Sequence, residues 1–139
     1  MKTALGLATA IAAFALVGCG HLDLASQGDP MRVLTGQVDL GDAIALPPDT
    51  TVTVRILDST AVGMPPQVLG SQTIQNPGVA PVSFRIEYRA EDDVLIKGLN
   101  IDARVSFGGK VQYYNSSSYA VTLGSASENH RISVSPVGR

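Results

Sequence analysis

One cysteine, two histidines and no tryptophan leave this chain short of the side chains from which most catalytic centres and metal sites are assembled. A lone thiol cannot close an internal disulfide, so folding does not depend on an oxidising compartment. Thiol zinc sites and two-histidine metal motifs are excluded on the same count, because Cys19, His21 and His130 are the whole supply. Charge is sparse as well. Charged residues make up 16% of the 139, the net charge is -2, and no run of Lys or Arg concentrates positive charge. Phosphate binding needs a basic patch, so nucleic acid is excluded as a partner. Aromatic residues account for only 5%. What the chain does have is glycine (14), proline (8) and an apolar share of 45%. That mixture suits a turn-rich β protein and is too apolar for a disordered chain.

The apolar residues begin with a block of their own. Met1-Lys2 gives a short positive start, Ala4 to Val17 is almost wholly apolar, and Leu16-Val17-Gly18-Cys19 follows. A positive end, a short apolar stretch and small residues at the cut mark a secretory signal. The stretch falls short of the ~20 residues needed to span a bilayer. Leu16, Val17, Gly18 and Cys19 resemble the lipobox of bacterial lipoproteins. That resemblance implies a diacylglycerol thioether on Cys19, cleavage before it, and acylation (palmitate-type) of the new amine. Two or more chains give stable membrane anchoring, whereas one gives only reversible binding. Gly20 stands where inner-membrane lipoproteins of this type carry Asp, so the expected location is the cell envelope, on the outer membrane facing the periplasm.

Residues 1–18 therefore read as signal peptide, 19–31 as lipidated cysteine and tether, and 32–139 as one folded domain. The tether shows no periodicity, ends in Gly28-Asp29-Pro30, and reaches roughly 35–40 Å at most if extended. His21 within it reads as solvated. From Arg32 a two-residue period takes over. Val33 to Leu40 reads as a strand interrupted by Gly36, and Thr51 to Asp58 as a strand with Val52, Val54 and Ile56 on one face. Val68 to Ile74 is a weaker strand. Val82, Phe84, Ile86 and Tyr88 alternate cleanly with Ser83, Arg85, Glu87 and Arg89. Ile101, Ala103, Val105 and Phe107 alternate next, and Gly108-Gly109 supplies the positive φ angles of a tight hairpin. Val111 and Tyr113, then Tyr119, Val121 and Leu123, and finally Ile132 and Val134 complete the set. Seven to eight short strands with turns every eight to twelve residues predict an all-β antiparallel sandwich. One helical turn at Glu91-Asp92-Asp93 is the only helical option.

The search for chemistry returns little, and the expectation is a protein that is not an enzyme, with no catalytic residue, cofactor or metal. His130 lies among Ser, Asn and Glu and reads as an exposed loop histidine; no Gly-x-Ser-x-Gly elbow accompanies it. Glu91-Asp92-Asp93 lacks the alternating spacing of a calcium loop and reads as a solvated turn. Tyr113, Tyr114 and Tyr119 raise the option of a glycan platform, although adjacent strand residues point to opposite faces, giving one core and one surface tyrosine. Arg85, Arg89 and Arg104 point outward from their strands, where they either receive an acidic peptide or only solubilise a sheet face.

Several of these segments together resemble the YbaY/YscW family of bacterial lipoproteins. They are Gly36, Ile44-Ala45-Leu46-Pro47-Pro48-Asp49 leading into Val52-x-Val54-x-Ile56-x-Asp58, Gln72-Thr73-Ile74, and Pro81-Val82-x-Phe84 with Tyr88. Ile101-x-Ala103-Arg104-Val105, Gly109-x-Val111-x-Tyr113 and Tyr119-x-Val121 extend the resemblance over about ninety residues, with Leu99 replacing an expected aromatic. The resemblance implies a small β-sandwich and a non-enzymatic, protein-binding, chaperone-like role. Some members of that family act as pilotins that carry a secretin to the outer membrane, so a secretin is the implied envelope partner, beside the membrane itself through Cys19. Two other roles stand beside it: envelope maintenance or stress protection without a dedicated client, and glycan binding through the tyrosines.

Overall fold

A computed structural model describes residues 30–138. Within them the alternating segments form nine strands: β1 (Met31–Asp39), β2 (Thr51–Asp58), β3 (Gln67–Gln75), β4 (Val82–Arg89), β5 (Leu99–Phe107), β6 (Lys110–Tyr114), β7 (Tyr119–Val121), β8 (Asn129–Ser133) and β9 (Ser135–Pro136). The expected sandwich is present, with nine strands instead of seven to eight and with one parallel pair, β1 with β8, among antiparallel ones. Its sheets are a three-stranded one in the order β4-β1-β8 and a six-stranded one in the order β3-β2-β5-β6-β9, with β7 pairing beside β6 along the rest of β5.

The two-residue period does its work because one face of each sheet is buried and the other meets water. In β4, Val82, Phe84, Ile86 and Tyr88 are buried and the four residues alternating with them are exposed. Val52, Val54 and Ile56 of β2 meet Leu99, Ile101, Ala103 and Val105 of β5 in the same core, and Leu34, Val38 and Ile132 close it from the opposite sheet. Burying a side chain of this kind contributes about 1.5–3 kcal/mol.

Both long sides of the sandwich are closed. At one side the chain passes from sheet to sheet between β8 and β9. The Val134 N–H donates to Asp39 O at 2.9 Å, extending the pairing with β1, and three residues on the Val137 N–H donates to Gln112 O at 2.9 Å beside β6. At the other side β3 lies against β4. A Cβ on Gly70 would come within 2.8 Å of the Ile86 side chain and 3.1 Å of Tyr88 Cβ, so only glycine lets the two strands approach this closely. Here Gln72 Oε1 accepts the Arg85 N–H at 2.7 Å, so a side chain pairs with the edge of β4.

The Leu46-Pro47-Pro48-Asp49 segment is a turn closed by the Thr50 N–H on Pro47 O at 3.0 Å. Asp49 reaches across to accept the Gly108 N–H at 2.8 Å, tying this turn to the hairpin between β5 and β6. Gly108 and Gly109 there have φ of 63° and 77°, as a two-residue hairpin demands.

Three details differ from the sequence reading. Gly36 does not interrupt β1, which runs unbroken through it. The acidic trio opens a real helix, α1 (Asp92–Lys97), which buries Leu95 and ends on Gly98 at φ 92°. Leu123 falls outside β7 and is exposed.

Candidate functional site

Leu16, Val17, Gly18 and Cys19, with Gly20 and His21, lie outside the described residues. Among the described residues no group of three or more His, Cys, Asp or Glu side chains is placed to hold a metal ion. Asp92 of the acidic trio is instead paired with Arg32.

His130 is not an exposed loop residue. It belongs to β8, is 3% exposed and points inward with Ile132, because the parallel pairing of β8 with β1 sets it opposite Gly36. Its Nε2 donates to Ser125 O at 2.9 Å, which leaves Nδ1 to accept the Tyr119 hydroxyl at 2.9 Å. The rings meet edge to face at 5.5 Å. Both nitrogens are thus spent on holding the turn before β8 and the β7 tyrosine. The signal for this was in the sequence, since His130, Ile132 and Val134 alternate with Arg131 and Ser133.

The tyrosines form no platform: Tyr113 and Tyr119 pack against the core, and Tyr114 alone is exposed. This matches the expectation of one core and one surface tyrosine at 113 and 114. The arginines are also kept apart. Arg85 and Arg89 stand on the outer face of the three-stranded sheet and Arg104 on that of the six-stranded sheet, so the three make no common basic patch. Arg85 is paired with Glu87 at 2.9 Å. Asp102 lies between Arg55 (2.8 Å) and Arg104 (3.4 Å).

Beside that cluster, β5 changes neighbour from β7 to β6, leaving residues 102 and 103 without a strand partner on that side. The Asn115 side chain fills the gap. Its Oδ1 accepts the Ala103 N–H at 2.8 Å and its Nδ2 donates to Ile101 O at 2.7 Å, reproducing a strand's pairing with one amide. Removing it strands two backbone groups, at a cost of about 1–3 kcal/mol. Asn115→Ala is therefore expected to lower the urea midpoint clearly, whereas Ser116→Ala, at an exposed neighbour, leaves it unchanged.

Tyr88 is buried, and its hydroxyl finds no hydrogen-bond partner among the described residues. Burial raises its pKa above the ordinary value of 10, with the nearby Arg32 charge opposing in part. The unfolded chain thus releases this proton at a lower pH than the folded one, and stability falls as pH rises past about 10. Tyr88→Phe is expected to raise stability at neutral pH by about 1 kcal/mol, since it removes an unsatisfied polar group. It should also flatten the alkaline loss in denaturation curves recorded from pH 8 to 11.

The surface carries open depressions of 250 to 360 Å3, lined largely by polar and charged residues, and none is an enclosed pocket. Apolar exposure is concentrated elsewhere. Of the ten large hydrophobic residues exposed among the described residues, seven lie at one end of the sandwich: Met31, Val33, Val62, Met64, Val68, Ile96 and Leu123. The β2–β3 loop is the centre of this end, with every residue from Ala61 to Val68 exposed. A two-residue period says nothing about loops, so the sequence pattern does not single this segment out.

The comparisons agree with this picture of a β-sandwich. The family model of the type III secretion system lipoprotein chaperone (YscW) matches residues 29–134, which takes in β1 through β8. Among solved structures, an alternative pilotin from the type II secretion system of Vibrio cholerae is similar, with a TM-score of 0.65 and 25% identity. The match covers 79% of this chain and 100% of that one. No curated protein matches significantly. With the family match spanning nearly the whole folded domain, the chain belongs to the YscW family of type III secretion system lipoprotein chaperones.

Proposed function

We propose that this protein is a lipid-anchored pilotin. It is acylated on Cys19 after cleavage of residues 1–18, sorted to the outer membrane by Gly20, and binds a secretin subunit that it carries there. The observation that carries this reading is the chaperone family match over residues 29–134, supported by the likeness to a pilotin over that protein's full length. The sandwich itself supplies a rigid body with closed long sides, and the lipid supplies the address. Binding by shape and strand surface needs no enclosed pocket, in keeping with a surface of open depressions.

Tyr113 and Tyr119 pack against the core instead of joining Tyr114 in an exposed platform, which weakens the glycan-binding reading. The test is co-purification. The lipidated chain, extracted in mild detergent from cells that express a type III secretin, is expected to bring down the secretin subunit and to move it into the outer-membrane fraction. A secretin that neither co-purifies nor changes location when the gene is deleted counts against the pilotin role and in favour of an envelope-maintenance role.

A further inference from the structure

We propose that the apolar β2–β3 loop is a second membrane contact, seating this end of the sandwich on the phospholipid surface beside the anchor. The inference rests on the proposed acylation of Cys19, and it adds an orientation that acylation alone does not give.

Strand register places the loop at the end where the tether enters. Met31, the first residue of β1, stands opposite Arg89, the last residue of β4. β3 runs against β4 with Gly70 beside Glu87 and Gln72 beside Arg85, so the start of β3 lies level with the end of β4. The loop joining Asp58 to Gln67 thus shares an end with Met31. The tether between Cys19 and Met31 spans at most roughly 40 Å. A strand of nine residues is about 30 Å long, so the far end of the sandwich sits that much further from the attachment point.

The loop has the composition for an interface. Ala61-Val62-Gly63-Met64-Pro65-Pro66-Gln67-Val68 carries no charge, and Val62 is 99% and Met64 67% exposed. With Val68 beside them and Met31, Val33, Ile96 and Leu123 at the same end, they gather apolar exposure of the kind that marks a protein or membrane contact. At this end of the sandwich, Glu91, Asp93 and Glu128 outweigh Lys97 and Arg89, and Arg32 is paired with Asp92. This end is therefore not basic. Its contact with lipid is apolar insertion rather than attraction to anionic headgroups.

The test uses the full lipidated chain reconstituted in phosphatidylethanolamine/phosphatidylglycerol vesicles. Acylation consumes the Cys19 thiol, so Val62→Cys and Val79→Cys each provide one labelling site, the second at an exposed position on the opposite end. An environment-sensitive fluorophore at Val62→Cys is expected to shift to the blue and to be quenched by nitroxide-bearing lipid. The same label at Val79→Cys is expected to do neither. Adding Met64→Asp should abolish the shift while the protein still floats with the vesicles. Water-like emission at both positions in floated vesicles overturns the proposal and leaves the anchor intact. A blue shift that appears only when secretin subunit is added overturns it in favour of a protein partner. Chains that fail to float overturn the anchor and this contact together.

Discussion

Gly36→Ala is expected to destabilise the domain by about 3 kcal/mol, the upper end for overpacking a closed core site. β1 is the middle strand of its sheet, fixed by β4 on one side and β8 on the other. Gly36 lies on its inward face, where an added Cβ would collide with the His130 carbonyl and come within 2.7 Å of the Phe84 ring. The ring has no empty space to turn into, because Phe84 is itself buried in the core cluster. The carbonyl is backbone in the parallel ladder, so moving it disturbs the pairing of residues 129–133 with β1 and the hydrogen bonds of His130. Domains of this size are stable by only about 5–15 kcal/mol, so such a loss removes a large share of the total. Urea denaturation followed by tyrosine fluorescence measures it. Gly124→Ala is the matched control: its added Cβ would meet only the Thr122 hydroxyl, at 3.9 Å, and its midpoint should hardly move. A Gly36→Ala variant as stable as the parent would show that β1 and β8 can separate at little cost.

The second large effect is expected from Cys19→Ser, and it concerns location rather than stability. On the proposed role, Cys19 carries the diacylglycerol and, after cleavage, the acylated amine, a set of chains that holds a protein on its leaflet. Serine offers no thiol for the thioether, so the variant should be neither acylated nor cut before residue 19. Membrane fractionation and intact mass distinguish the two forms directly. The wild type is expected in the outer-membrane fraction with its added lipid mass, and the variant without that mass and depleted from the fraction. A Cys19→Ser chain that fractionates with the outer membrane like the wild type would refute lipid attachment at this residue. Because the change lies in the tether, the folded domain should show the same urea midpoint in both.

The Asn115 and Gly36 cases share a feature with His130. Each residue is explained by a partner on another strand, which the residues adjacent to it in sequence do not reveal. Asn115 completes a gap in β5, Gly36 clears a path for β8, and His130 braces Tyr119. These are the positions where the sequence reading was silent or mistaken. An exposed histidine was expected at 130 because Ser125, Ser127, Glu128 and Asn129 surround it, yet those polar residues belong to the turn and to the outward face of β8.

From sequence alone came the two-residue alternation that makes β2, β4 and β5, the glycine pair that turns β5 into β6, and the Leu-Pro-Pro-Asp turn before β2. The lipobox-like segment ending at Cys19 and the resemblance to the YscW family were legible there too, the latter because its motifs are turns and core positions fixed by local chemistry. Alternation states which side chains share a face, since successive residues of a strand point to opposite sides. It carries no information on which strands lie side by side. That was decided only in three dimensions, where β1 pairs in parallel with a strand nearly a hundred residues away and β3 closes against β4. The same packing gathered Met31, Val62, Met64 and Ile96, scattered along the chain, at the end from which the tether leads to Cys19.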